Sequence, residues 1–229
     1  MLRIFPLPAL LAGWILALPL AASATAPTPA AAPVFTLTEG VEYETLAQPE
    51  PVHDPKKIEV LEVFSYGCVH CYELEPALRA WKARLPADVD LQYLPAAFRP
   101  EFALYARGFY AAQQLGVLAG THERVFDTIW SNGVPVHTLA DLAGLYARLG
   151  VDREQFIAAA QSAGNRDALD AAREKIQRLR VDGTPTFFVA GRYRVLATLA
   201  SSSEELLQRV DALVAKERAA RAQRRKPRG

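Results

Sequence analysis

The sequence predicts an α/β domain in which a βαβ unit and a ββα unit are separated by an all-helical insertion. Three observations predict it. Residues 58–64, "IEVLEVF", form a near-continuous apolar run, the mark of a strand covered on both faces. From about Pro100 to Arg180 the apolar residues recur at helical spacing only. Strand character then returns at "TPTFFVAGRYRVL", followed by the helical pattern "SSSEELLQRVDALV".

The chain has 229 residues and opens with "MLRIFPLPALLAGWILALPLAASATA". Arg3, an apolar stretch from about Phe5 to Leu20 and the small residues Ala22-Ser23-Ala24 read as a secretory signal over residues 1–24. A retained membrane anchor is the rival, against which Pro6, Pro8 and Pro19 interrupt the stretch. Residues 25–39 begin as an Ala/Pro-rich spacer, "TAPTPAAAP". The remainder is one domain's worth of chain, and 51% hydrophobic residues suffice for a sizeable core. Without Arg3 the chain keeps 25 basic against 25 acidic residues, which argues against a nucleic-acid binder. The single strong charge run, in the basic tail 216–229, could touch anionic lipid or a partner, but its plainer reading, preferred here, is a solvated, frayed helix end.

The first half spans residues 40–99, with the strand at 58–64, a helix, and a second strand within "DVDLQYLPAAF" at 88–98. The insertion spans 100–180. Within it "EFALYARGFYAAQQLG" carries Phe102, Tyr105, Phe109 and Ala112 on one face and ends at Gly116 or Gly120. "TLADLAGLYARLG" opens with a capping box of Thr138 and Asp141 and stops at Gly150. "DREQFIAAAQSAG" and "NRDALDAAREKIQRLR" follow in the same style. The second half, 181–215, has a hairpin turn at Gly191 and Arg192 and a last helix capped by Ser202 with Glu205.

Both cysteines of the chain lie in "FSYGCVHCYELEP", residues 64–76. Cys-x-x-Cys at a helix start brings residues i and i+3 onto one face, so the sulfurs of Cys68 and Cys71 can bond with little backbone strain. The positive end of the helix favours an anion and lowers the pKa of the first thiol. Cys68 is then the nucleophile and Cys71, one turn in, the resolving thiol. A purely structural disulfide would close too small a loop to constrain the unfolded chain much. A metal site needs about four ligands, and only His53, His70, His122 and His137 are available to join the cysteines. Covalent haem attachment needs histidine directly after the second cysteine, where Tyr72 stands.

His70, between the cysteines, can place a donor or a positive charge beside the Cys68 sulfur, or be an ordinary exposed helix histidine. Glu62, in the middle of an apolar strand, is expensive to bury without a partner. Buried near Cys71 it can accept that thiol's proton; on an edge it would face water. Pro76 kinks the helix after its first turns.

Taken with "VLEVFSYGCVHCYELEP", the helices between the two halves and "VDGTPTFFVAGRY", the chain resembles the DsbA-like thiol:disulfide oxidoreductases from about residue 40 to 215. The resemblance implies a thioredoxin fold with a mixed sheet and an inserted helical domain. It implies Cys68 as exposed nucleophile, Cys71 as buried partner, His70 as the dipeptide histidine and Glu62 as the buried acid. Thr184 and Pro185 match the family's cis-proline pair, which with Val69 lies against an extended substrate added as a strand. Val69 departs from the proline common at its position, and Gln92 and Leu94 stand where the family often has a basic residue near the buried acid. The implied activity is disulfide donation in the periplasm, with no cofactor beyond the cysteine pair and no metal; the alternatives are a periplasmic disulfide reductase or isomerase with the same motif and a metal-binding protein using Cys68, Cys71 and His70. Implied partners are reduced exported polypeptides and a quinone-linked membrane reoxidant of the DsbB type, with the protein itself a monomer.

Overall fold

The computed structural model describes residues 37–197 and 200–225. The leader and most of the spacer lie outside the described residues. Among the described residues no helix is long and apolar enough to cross a membrane.

Among the described residues one sheet runs in the order β1-β5-β4-β2-β3. Its strands are β1 (Tyr43–Thr45), β2 (Ile58–Phe64), β3 (Val89–Pro95), β4 (Thr186–Val189) and β5 (Tyr193–Val195). β2 pairs with β3 in parallel and with β4 antiparallel, so the sheet is mixed. The parallel pair is joined through helix α1 (Val69–Lys82), the crossover that parallel strands require. Every residue of β2 is buried, which is why its sequence reads as continuous apolar character rather than alternation.

The period of two sorts β2 between two cores. Ile58 and Val60 pack with Leu74, Leu78 and Trp81 of α1 and with Leu206, Val210 and Leu213 of the last helix, α7 (Ser203–Arg225). Leu61 and Val63 point the other way, against Ile176 and Leu179 at the end of the insertion. Phe64 leaves the sheet into a third core inside the insertion, with Tyr105, Phe109, Phe126, Tyr146 and Phe156. The active half and the insertion therefore share one apolar interior at the end of β2.

The insertion holds α2 (Pro100–Gln114), α3 (Leu118–Trp130), α4 (Leu139–Arg148), α5 (Arg153–Gln161) and α6 (Ala163–Arg178). Sequence spacing named the stretches of α2, α4, α5 and α6; α3 lies in the stretch between. α2 ends at Gly116, which takes φ +70°, while Gly120 lies inside α3. The Thr138–Asp141 capping box forms in full. At α7 the exchange is displaced: Ser202 Oγ accepts from the Glu205 amide, but the Glu205 carboxylate accepts from the amide of Ser201 rather than from Ser202.

The hairpin turn also differs by one residue from the sequence expectation. Ala190 (φ +55°) and Gly191 (φ +60°) are its central pair, closed by the Arg192 amide donating to the Val189 carbonyl at 2.9 Å. Two positive φ values match the twist that a tight hairpin needs. Nor does the basic segment begin as a frayed end. The helix continues to Arg225, with Arg218 on Asp88 at 2.7 and 3.0 Å and Arg221 donating to the Lys57 carbonyl at 2.9 Å.

A Cβ on Gly191 would overlap the carbonyl oxygen of Glu50, whose amide donates to the Gly191 carbonyl. Gly191→Ala is therefore expected to lower unfolding stability by about 1–3 kcal/mol, the cost of strain at a special backbone position. Denaturant melts of the two proteins check this.

Candidate active site

After Phe64 the chain leaves the sheet through Ser65, Tyr66 and Gly67. The turn is set by the Cys68 amide donating to the Ser65 carbonyl at 3.0 Å and the Gly67 amide to Ser65 Oγ at 3.2 Å. A Cβ on Gly67 would lie 2.7 Å from a ring carbon of Tyr105, so this loop and α2 approach more closely than any side chain allows. Cys68 follows in extended conformation as the residue that opens α1. Its sulfur thus stands at the end of the helix where backbone N–H groups are unpaired.

The two thiols face opposite environments, and both are reduced. Cys68 is half-buried. Its pKa is drawn down to about 5, chiefly by a hydrogen bond from the Cys71 thiol and, against the cost of burial, by the Thr184 side chain and the backbone N–H groups of Cys71 and His70. In its thiol form Cys68 donates to the Thr184 carbonyl at 3.3 Å, a contact that only the protonated sulfur can make. Cys71 is fully buried, and burial first, then the hydrogen bond it gives to Cys68 and the charge of Glu62, drive its pKa far upward. One sulfur is a stabilised thiolate, the other a thiol that resists ionisation.

Glu62 is 1% exposed, with Oε2 lacking any hydrogen-bond partner. Burial, then the charges of Glu75 and Cys68, hold its pKa well above the usual carboxylate range. The β3 residue in register with it is Tyr93, not a base. Lys82 of α1 places its Nζ 5.7 Å from the Tyr93 ring centre. The edge-facing alternative for Glu62 does not hold.

Of the two readings of the His70 side chain, the exposed one holds. Its imidazole is exposed and shares a hydrogen bond with Glu73 Oε2 at 3.0 Å, and what it gives the Cys68 sulfur is its backbone N–H. Val69, beside it, is 38% exposed, unusual for an apolar side chain of this size. Thr184–Pro185 is a cis peptide bond and lies across from Cys68. Between His70, Leu74, Pro185, Ser201 and Leu206 a groove of about 650 Å³ opens. Among the described residues no three His, Cys, Asp or Glu side chains converge as metal ligands.

Two groups of residues at the site escape sequence reading. Trp130 of α3 stacks on Tyr72 (centroids 6.2 Å apart, 16° between planes) and donates Nε1–H to the Tyr66 carbonyl at 2.9 Å. Trp130, Val69 and Phe98 are all exposed apolar side chains. Beneath the cysteines, Tyr66 Oη and His122 Nδ1 are 2.8 Å apart, and His122 Nε2 lies 3.8 Å from Glu75 Oε1. This last contact is not an ion pair. Burial, helped by Lys82, lowers the His122 pKa to about 3, and burial with the Glu123 charge raises that of Glu75 to about 7. Histidine and glutamate inside helical patterns carry no sequence signal that would pair them across α1 and α3.

The chain matches the family model described as a DSBA-like thioredoxin domain over residues 101–211. It is 38% identical over 183 residues to the thiol:disulfide interchange protein DsbA of Pseudomonas aeruginosa, covering 80% of this chain and 87% of that one. To the DsbA of Burkholderia cepacia it is 32% identical over 206 residues, 90% of this chain and 95% of the relative. Among solved structures it superposes on P. aeruginosa DsbA with a TM-score of 0.76 at 37% identity, covering 81% and 97% of the two chains. The oxidoreductase DsbA of Xylella fastidiosa gives 0.75 at 35% identity, over 80% and 98%.

The Cys68 environment sets a pH dependence. The folded pKa lies below that of an unfolded thiol, about 8.5, so the thiolate stabilises the reduced protein above that value and the contribution is lost as pH falls through about 5. Reduced protein, compared with oxidised protein in which Cys68 cannot titrate, is expected to gain stability between pH 4.5 and 8. Parallel denaturant melts, with thiolate absorbance at 240 nm titrating near pH 5, check both parts.

Proposed function

The chain belongs to the family of DsbA-like thiol:disulfide oxidoreductases, enzymes of dithiol/disulfide exchange, and from that membership we propose how its own residues divide the work. The protein donates a Cys68–Cys71 disulfide to exported polypeptides. The observation that carries the assignment is the opposition of the two sulfurs, Cys68 accessible and acidic, Cys71 buried and strongly basic.

A substrate thiolate attacks Cys68 Sγ. The bond between the two enzyme sulfurs breaks, and Cys71 leaves with the electron pair. Its basicity requires a proton at that moment, and Glu62, held protonated by burial, is the adjacent acid. A second substrate thiolate then attacks the substrate sulfur of the mixed disulfide and expels Cys68 as thiolate. Because that thiolate is the better leaving group, the reduced enzyme is the stable form and the oxidised one a strong donor. In reoxidation the steps reverse, and Glu62 takes the Cys71 proton as that sulfur attacks.

Thr184 and cis-Pro185 offer backbone opposite Cys68 just before β4, which suits a substrate strand laid beside them. Val69, Phe98 and Trp130 add apolar surface for its side chains. His70 contributes through its backbone N–H. The cysteine pair needs no further cofactor. The compartment is the periplasm, and the reoxidant a quinone-linked membrane protein of the DsbB type.

The reduction potential tests the direction of flow. Protein equilibrated in glutathione buffers and trapped for mass analysis is expected to show a couple well above that of glutathione, and Cys68→Ser is expected to lose activity altogether. A potential well below glutathione would make the protein a reductase, with Val69 the first residue to exchange.

Glu62→Gln cannot exchange a proton with Cys71. It is expected to slow both half-reactions by about 100-fold, the low end of what a positioned proton donor contributes, while leaving the Cys68 thiolate titration near pH 5. Stopped-flow rates with a reduced peptide, together with the 240 nm titration, separate this from misfolding.

A further inference from the structure

At the opposite end of β2 from the cysteines a second concave site opens, of about 620 Å³, lined by Pro49, Pro51, Arg192, Glu217, Arg221 and Arg224. It is built around one buried carboxylate. Glu217 is 2% exposed; its Oε1 accepts from Arg221 Nε and Arg224 Nη2, each at 2.9 Å, while Oε2 has no hydrogen-bond partner. The Arg192 guanidinium stands 3.9 Å from that oxygen, beyond hydrogen-bond reach.

Three cations around one anion leave an excess of two positive charges facing a cavity, with the Arg192 donors and most of those of Arg224 unused. Glu50 at the rim does not offset them, because Arg178 holds both its oxygens at 3.1 and 3.3 Å. Lys56 and Lys57 lie beside the site, since Arg221 donates to the Pro55 and Lys57 carbonyls at 3.3 and 2.9 Å. After Glu217 the sequence "RAARAQRRKPRG" holds six basic residues and no acid. In a protein of formal net charge +1 this is a local excess of cations, since among the described residues of that run Arg218 alone is held by an acid from elsewhere, Asp88.

The geometry points to a phosphate-binding pocket that docks this end on an anionic phospholipid surface. Guanidinium forks match phosphate oxygens geometrically. The occupant is a lipid rather than a free ion because the sequence continues past the pocket with further basic residues, Arg225, Lys226 and Arg228, and a run of cations beside a phosphate site complements an anionic surface. The buried Glu217 holds the guanidiniums together against their own repulsion. Docked this way, the protein turns the Cys68 end of the sheet away from the lipid. The inference does not depend on the redox assignment.

Purified untagged protein sedimented with vesicles of phosphatidylcholine mixed with phosphatidylglycerol is expected to bind, less at physiological than at low salt, and not to bind phosphatidylcholine alone. Each arginine removed is expected to weaken partitioning about five-fold, so Arg192→Gln with Arg224→Gln weakens it roughly twenty-five-fold while disulfide exchange is unchanged. Should the double variant fail to fold, Arg192→Gln alone, whose guanidinium makes no hydrogen bond, is expected to show the five-fold loss. Equal binding by the variants, or equal binding to the neutral vesicles, overturns the proposal. So does binding of inorganic phosphate, seen by phosphorus NMR, without vesicle binding.

Discussion

Hydrogen bonds that converge on a single sulfur hold this site in its working state. The Cys68 thiolate receives the Cys71 thiol and two backbone N–H groups from the first turn of α1, and it is those contacts that set its acidity. They exist because Cys68, not Ser, Thr or Asp, occupies the position where a helix begins. The same bond that lowers one thiol raises the other, so the two cysteines form one electrostatic unit. Changing either alters both.

That unit depends on the buried layer beneath it. β2 is covered on both faces, and its alternate residues deliver Glu62 to the side of α1. Water is thereby kept from Cys71, and its reluctance to ionise follows from burial before any charge is considered. The aromatic cluster of Phe64, Tyr66, Phe109, Phe126 and His122 closes this space from the insertion side. The insertion thus acts as a dielectric lid over Cys71.

What the sequence made legible is what rests on local pattern. β2, the Cys-x-x-Cys helix start, the Thr138 capping box and the hairpin follow from periodicity, spacing and turn chemistry over a few residues. β1 is three residues long and exists by pairing with β5, so its own composition carries little signal. The onward course of α7 past residue 215 reverses what its charge suggests, because Asp88 and the carbonyls of Pro55 and Lys57 receive its arginines from distant parts of the chain. Trp130 and the His122–Glu75 contact are likewise products of packing α3 on α1. Of the two readings open for the His70 side chain the structure shows the exposed one, because a neighbour one turn away, Glu73, competes for it.

The approach of Gly67 to Tyr105 has a consequence for how such proteins diversify. The loop that carries Cys68 and the first helix of the insertion touch through a space with no room for a methyl group. A larger residue at position 67 therefore demands a smaller one at position 105. Any recombination that joins this catalytic half to a helical insertion from a relative has to transplant that pair as a unit, or the seam will open directly beside the reactive sulfur.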